Sequence, residues 1–201
     1  LLKKNEKKIL QQNKKDINLN CKKLKEVPSY LPPSVKGLYQ TFAFAMYEAM
    51  STDTTGVDRI ECNQFLQWQT ENVEGFGSCF QAPTTNACLT NEDFNKWSIS
   101  GCTENGLISM FRRQKNFIGI GLNSWELPPA VKNLGQMFRE CNSFNGNIED
   151  WDVSNVTSFE YMFRDCAAFN ADISGWIPTE ATNMTYMFTN CTSFNQSIRG
   201  W

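Results

Sequence analysis

The chain has 201 residues, of which 41% are apolar, 20% charged and 13% aromatic, including 15 Phe and 6 Trp. This composition excludes an intrinsically disordered chain, and the length suffices to bury a core as one large domain or as a repeat array. The formal net charge is −2 and there is no histidine, so the commonest metal ligand is missing; no CxxC pair offers a zinc site, and no cofactor or metal is expected. No apolar run approaches the ~18 residues of a membrane-spanning helix. The opening LLKKNEKKILQQNKKD lacks the apolar stretch of a signal peptide, but the chain begins at Leu1, so that absence carries no weight on secretion.

Residues 1–30 read as a basic N-terminal arm or cap. Nine lysines stand against Glu6, Asp16 and Glu26 in the first 26 residues, which leaves the rest of the chain acidic. The expected form is a solvated helical cap with Leu2, Ile9 and Leu10 turned inward. A lysine-rich arm can also touch an anionic membrane surface, an acidic partner or nucleic acid, although nucleic acid is not the expected partner.

Residues 31–103 carry two irregular repeats with inserted loops. One copy has Val35, Leu38, Phe42, Phe65 and Trp68, the other Val73, Phe76, Phe80, Phe94 and Trp97. The insertions, 43–64 and 81–93, contain Cys62 and Cys88 and are expected to build a loop surface of their own. LPPSVKGL at 31–38 returns as LPPAVKNL at 127–134, a second sign of duplication. Cys62, Cys79, Cys88 and Cys102 are the disulfide candidates if the chain is secreted.

Residues 104–201 are the regular repeats. Met137-Phe138, Met162-Phe163 and Met187-Phe188 recur every 25 residues, each followed by Cys141, Cys166 or Cys191. Phe144-Asn145, Phe169-Asn170 and Phe194-Asn195 come next, then Ile148, Ile173 and Ile198, then Trp151, Trp176 and Trp201. Met110-Phe111, Phe117 and Trp125 form another copy, so every Trp in the chain falls on one repeat position and about six units are counted.

Within a unit, Val156, Phe159, Phe163 and Cys166 follow i, i+3, i+7, i+10, which predicts one face of a helix of about three turns. Thr157 and Glu160 are placed for a capping box at its start. Val131, Leu134, Phe138 and Cys141 repeat the spacing, as do Ala181, Met184, Phe188 and Cys191. Trp151 and Val153 alternate as in a strand, and Ile173 and Trp176 lie on the equivalent extended piece. The expected fold class is α/β, a solenoid of about six stacked helix-strand units, since no such unit can bury its apolar face alone. Its core columns are Phe111, Phe138, Phe163 and Phe188, and Trp125, Trp151, Trp176 and Trp201. Asn145, Asn170 and Asn195 are expected to form an asparagine ladder. Cys141, Cys166 and Cys191 are expected as small buried core residues.

MFRDCAAFNADISGW followed by MFTNCTSFNQSIRGW, linked by WDVSNVTSFEYMF, resembles the repeat of BspA-like surface proteins, also found in Mycoplasma and Listeria lipoproteins and in protist relatives. The likeness is carried by 104–201 and is faint over 31–103. It implies a leucine-rich-repeat-like solenoid at a cell surface, engaged in adhesion or protein binding, and brings no catalytic residues. The chain departs from that pattern in its two insertions and in stopping at Trp201 on the last residue of a unit, without a polar cap. The expectation drawn from this is a longer protein or an end that docks on something.

Arg112, Arg139 and Arg164 occupy one column of the expected outer face, with Glu140 and Asp165 beside the last two; this stripe is the candidate partner-binding site, for an acidic partner. Sequons start at Asn155, Asn183, Asn190 and Asn195, where the repeat itself supplies Asn and Thr or Ser. Glu149, Asp150 and Asp152 cluster beside Trp151, but neighbouring units do not keep these acids. There is no GxSxG, P-loop or GxGxxG, so no catalytic residue is assigned and no enzyme is expected. The expected function is a non-catalytic interaction or adhesion solenoid, extracellular or on a cell surface. The alternative is a structural scaffold subunit of a large virion or organelle assembly. Partners are expected to be other proteins or assembly neighbours, with no small-molecule substrate and no transmembrane segment.

Overall fold

The computed structural model describes residues 29–43, 65–82, 89 and 91–201. Residues 1–28 of the arm, the cysteines at 62 and 88, and most of the first insertion lie outside the described residues. Among those described there is no α-helix and no β-strand. The named elements are two three-residue 3-10 turns, Phe65–Gln67 and Leu122–Ser124, and, apart from these, isolated parallel bridges pair Gly37 with Gly75, Asn133 with Ser158, and Ser158 with Asn183. The expected α/β solenoid of helix-strand units is therefore corrected: the units stack, but they are built from turns.

Each expected helix is a run of overlapping turns. In the fourth unit, Met137 N–H donates to Leu134 O at 3.2 Å, Arg139 N–H to Gln136 O at 3.1 Å and Cys141 N–H to Phe138 O at 3.0 Å. The alternate N–H groups leave the unit altogether. Leu134 donates to Ser158 O at 3.0 Å, Gln136 to Glu160 O at 2.9 Å, Phe138 to Met162 O at 3.1 Å and Glu140 to Arg164 O at 2.7 Å. Phe159, Tyr161, Phe163 and Asp165 pass the same pattern on to Asn183, Thr185, Met187 and Thr189. Gln136 and Glu140 have φ of 58° and 63°. A left-handed residue at the third position of a turn is type II geometry, and it reorients the peptide so that every second N–H runs along the stack. An α-helix would spend all of these donors on its own i−4 carbonyls; here half of them tie one unit to the next.

The expected caps and strands give way for the same reason. Thr157 Oγ1 donates to Lys132 O of the preceding unit at 3.0 Å, so it makes no capping box with Glu160. Trp151 N–H turns back to Ile148 O at 3.2 Å and Val156 N–H to Val153 O at 3.0 Å, which makes the expected strand a pair of corners.

Side chains fill the stack as columns. Phe42, Phe80, Phe111, Phe138, Phe163 and Phe188 have successive ring centroids 5.4, 5.7, 5.7, 5.8 and 5.8 Å apart, with interplanar angles of 11° or less. Phe117, Phe144, Phe169 and Phe194 form a second column. Such offset pairs add about 0.5–1.5 kcal/mol each beyond the area they bury. The indoles of the later units also bond backward: Trp125 Nε1 donates to Phe94 O at 3.1 Å, Trp151 Nε1 to Leu122 O at 3.0 Å and Trp176 Nε1 to Ile148 O at 3.0 Å. Trp therefore fills space and satisfies a buried carbonyl, which Phe could not do. Phe188 and Trp201, in the last unit, are half-buried, and Met184 is exposed.

The ladder runs past both insertions without losing register. Leu38, Gln40 and Phe42 donate to Gly75, Gly77 and Cys79, and Phe76, Ser78 and Phe80 donate to Gly106, Ile108 and Met110. Both insertions leave at one corner, between the ladder Phe and the next core Phe. In regular units a cysteine occupies that corner, and its thiol donates to the ladder Phe carbonyl of the preceding unit: Cys141 Sγ to Phe111 O at 3.0 Å and Cys166 Sγ to Phe138 O at 2.9 Å. The third unit has Gln114 instead. Its buried amide donates to Phe80 O at 2.5 Å and accepts Leu89 N–H at 3.0 Å, so it reaches the inserted loop as well. Gln114→Leu strands both backbone groups and is expected to lower the unfolding free energy by about 2–4 kcal/mol in urea titration.

Cys79, Cys102, Cys141 and Cys166 are free and buried, and Cys191 is free and half-buried. Cys79 and Cys102, two of the four disulfide candidates, are thus free in the core, and the other two lie outside the described residues. Burial pushes the Cys102 thiol up to about 12 and Cys191 up to about 11, and raises Cys79, Cys141 and Cys166 as well. At neutral pH these thiols stay protonated and unreactive. Alkylation followed by peptide mass spectrometry should modify the four buried ones only on unfolding, with Cys191 the first of the five to react.

Candidate interaction face

The outer side of the turn ladder carries three columns. Ser109, Gln136, Tyr161 and Tyr186 hold the first left-handed position, and Arg113, Glu140, Asp165 and Asn190 the second. Between them runs the column of Arg112, Arg139 and Arg164, the three arginines that the sequence spacing singled out, continued by Thr189. Among the described residues, all non-glycine residues of positive φ, including Gln40 and Ser78, lie on this ladder. The left-handed conformation costs an L-residue about 1–2 kcal/mol, a cost glycine avoids.

Glu140 sits between two cations: Arg113 Nε is 3.1 Å from its Oε2 and Arg139 Nε 3.1 Å from its Oε1. Arg164 Nε lies 3.2 Å from Asp165 Oδ2, and Asn190 Nδ2 donates to Asp165 Oδ1 at 2.6 Å. The guanidinium carbons of Arg139 and Arg164 stand 5.3 and 5.4 Å from the Tyr161 ring centroid, a cation–π arrangement. Tyr161 stacks on Tyr186 at 5.2 Å. Arg112 differs in forming no ion pair among the described residues. Its Nε, like that of Arg139, is buried with no hydrogen-bond partner, and its guanidinium is held below its usual range, by burial first and then by the charges of Arg113 and Arg139, against the opposing pull of Glu140.

Sequence spacing missed Tyr161, Tyr186 and Arg113. The offset that would have found the tyrosines was available: Ser109, Gln136, Tyr161 and Tyr186 each immediately precede the Met of a Met-Phe pair.

The remaining candidates serve the backbone. Asn145 Oδ1 accepts Asn170 N–H at 2.8 Å and Asn170 Oδ1 accepts Asn195 N–H at 2.8 Å. Asn183 Oδ1 takes Thr185 N–H at 3.0 Å, and Asn155 Oδ1 takes the Lys132 ammonium at 3.4 Å. Glu149 and Asp150 are exposed. Asp152 accepts Ser154 N–H at 3.0 Å, and its bonds to Ser154 hold its carboxyl below the usual range; it closes a turn.

Fold and face together define a repeat solenoid whose units are joined by a backbone turn ladder and which presents its polar side chains in columns. Two overlapping stretches, residues 48–127 and 105–201, match the family described as Mycoplasma protein of unknown function, DUF285. The chain belongs to that family. The match over 48–127 takes in the second irregular unit and the later part of the first, along with the regular ones. No curated protein and no solved structure matches the chain. The leucine-rich-repeat architecture implied by the surface-protein resemblance does not carry over, because the described residues of the units contain neither the helix nor the strand it requires. Among the described residues no helix is long and apolar enough to cross a membrane.

Proposed function

We propose that the chain is a non-catalytic binding module displayed at a cell surface, and that its turn-ladder face engages another protein. The observation that carries this reading is the set of left-handed positions. Residues as bulky as Tyr161 and Tyr186 stand there, where glycine would be free of strain. Strain of this kind persists only where the surroundings fix it, and it accompanies functional surfaces. Tyrosine and arginine are the side chains that most often dominate protein interfaces, and a stack that holds them in columns reduces the ordering lost on binding. A solenoid also offers an extended surface to its partner. The surface location rests on the family match together with the resemblance to surface repeat proteins.

Intact cells that express the chain test the location. Treatment with a membrane-impermeant amine reagent should label the chain before lysis, and labelling only after lysis would contradict the reading.

A further inference from the structure

We infer that the ladder face takes an acidic peptide segment, with Arg112 as the residue that receives its carboxylates. This rests on the binding reading above and names the chemistry of the ligand. Four guanidinium groups, Arg112, Arg113, Arg139 and Arg164, lie on this face, and its ion pairs run to two carboxylates. Glu140 is shared by Arg113 and Arg139, and Asp165 by Arg164 and Asn190. Among the described residues Arg112 forms no ion pair, although Glu140 acts on it at longer range, and its Nε, like that of Arg139, is buried without a hydrogen-bond partner. Its nearest charged neighbours are largely cations. Arginine keeps its charge, so an anion meeting the outer edge of this guanidinium would relieve the mismatch. A carboxylate suits it, since a guanidinium grips one through two parallel N–H bonds.

The surroundings favour a peptide over a polyanion. Glu140 and Asp165 lie within the stripe, so a polymer charged at every step would press some of its charges against them. A peptide can space its acids to meet Arg112 and the exposed edges of Arg139 and Arg164, and set an apolar side chain against the Tyr161–Tyr186 stack. That stack has one ring 58% exposed, Tyr186, and so offers an aromatic surface next to the cations.

The test is fluorescence anisotropy with the full chain and a labelled peptide of alternating Glu and Ala. A Gln/Ala peptide of the same length and heparin serve as comparisons. The Glu peptide should bind with an affinity that falls as salt rises, and the Gln peptide should not bind. Arg112→Gln should weaken binding about tenfold or more. Arg112→Lys should fall between, since it keeps the charge and loses the fork. Arg199→Gln, an exposed arginine away from the ladder, should change nothing. Thermal unfolding of Arg112→Gln should match the parent or exceed it, which separates lost binding from lost fold. Equal binding of the Gln peptide, full binding by a folded Arg112→Gln, or Arg112-dependent binding of heparin in preference to the Glu peptide would each overturn the inference. Cell-surface labelling needs no ligand, so a failed peptide titration leaves that reading to be judged separately.

Discussion

Trp151→Ala is expected to lower the unfolding free energy by about 3–5 kcal/mol, the cost of a large cavity in a close-packed interior. Trp151 is 3% exposed, lies parallel to Trp125 with ring centroids 6.4 Å apart, and leans on Phe138 at 6.3 Å. Its indole N–H is also bonded to Leu122 O. Trp151→Phe keeps part of the packing but strands that carbonyl, so a smaller loss of about 1–3 kcal/mol is expected. Urea titration followed by circular dichroism reads both, with Trp151→Ala showing the larger drop. Because each unit touches only its neighbours, the damage should fall first on the units flanking the fourth, and hydrogen exchange should show it there.

Gln136→Pro should be at least as harmful. Proline fixes φ near −65°, on the opposite side of zero from the value of 58° that Gln136 holds, and it removes the N–H that reaches Glu160 O at 2.9 Å. Proline in a position that needs its N–H costs about 3 kcal/mol or more, and here the lost bond joins two units. The expected result is a melting curve in which the units after the fourth unfold ahead of the rest. A single transition at the parental temperature would show that the ladder bond at this position contributes nothing.

Much of this architecture was legible in the sequence, and the misreading was specific. The Met-Phe, Phe-Asn and Trp columns follow from a fixed period, since equivalent residues of a stack must coincide. The helix did not follow. The turn ladder buries Leu134, Met137, Phe138 and Cys141 while Gln136, Arg139 and Glu140 look outward, and that spacing is also one face of a helix. Apolar periodicity reports where side chains point. It is silent on where the N–H groups go, and these are what distinguish the two backbones.

Two physical signals argued against the helix. The stretch VTSFEYMFRDC at 156–166 is mostly β-branched, aromatic and short polar residues, which are mediocre helix formers. Packed helices also need 8–10 Å between axes, whereas successive rings of the Phe column repeat at 5.7–5.8 Å. The units are too thin to contain one. The arginine column was visible because it keeps a constant offset from Met-Phe. The left-handed positions were not, because Gln136, Tyr161 and Tyr186 are residue types that give no local sign of positive φ.

The central claim is that a turn ladder replaces the helix, and the comparison of Gln136→Gly with Gln136→Ala tests it most directly. Both variants lose the Gln136 contact with Arg139, so their difference isolates the backbone. In a helix, Gly is about 1 kcal/mol less stable than Ala. At a left-handed ladder position the order reverses, with Gly the more stable by about 1 kcal/mol. Chemical denaturation of the two variants should find the glycine chain the more stable; an alanine chain that is clearly the more stable would contradict the ladder and restore the helix.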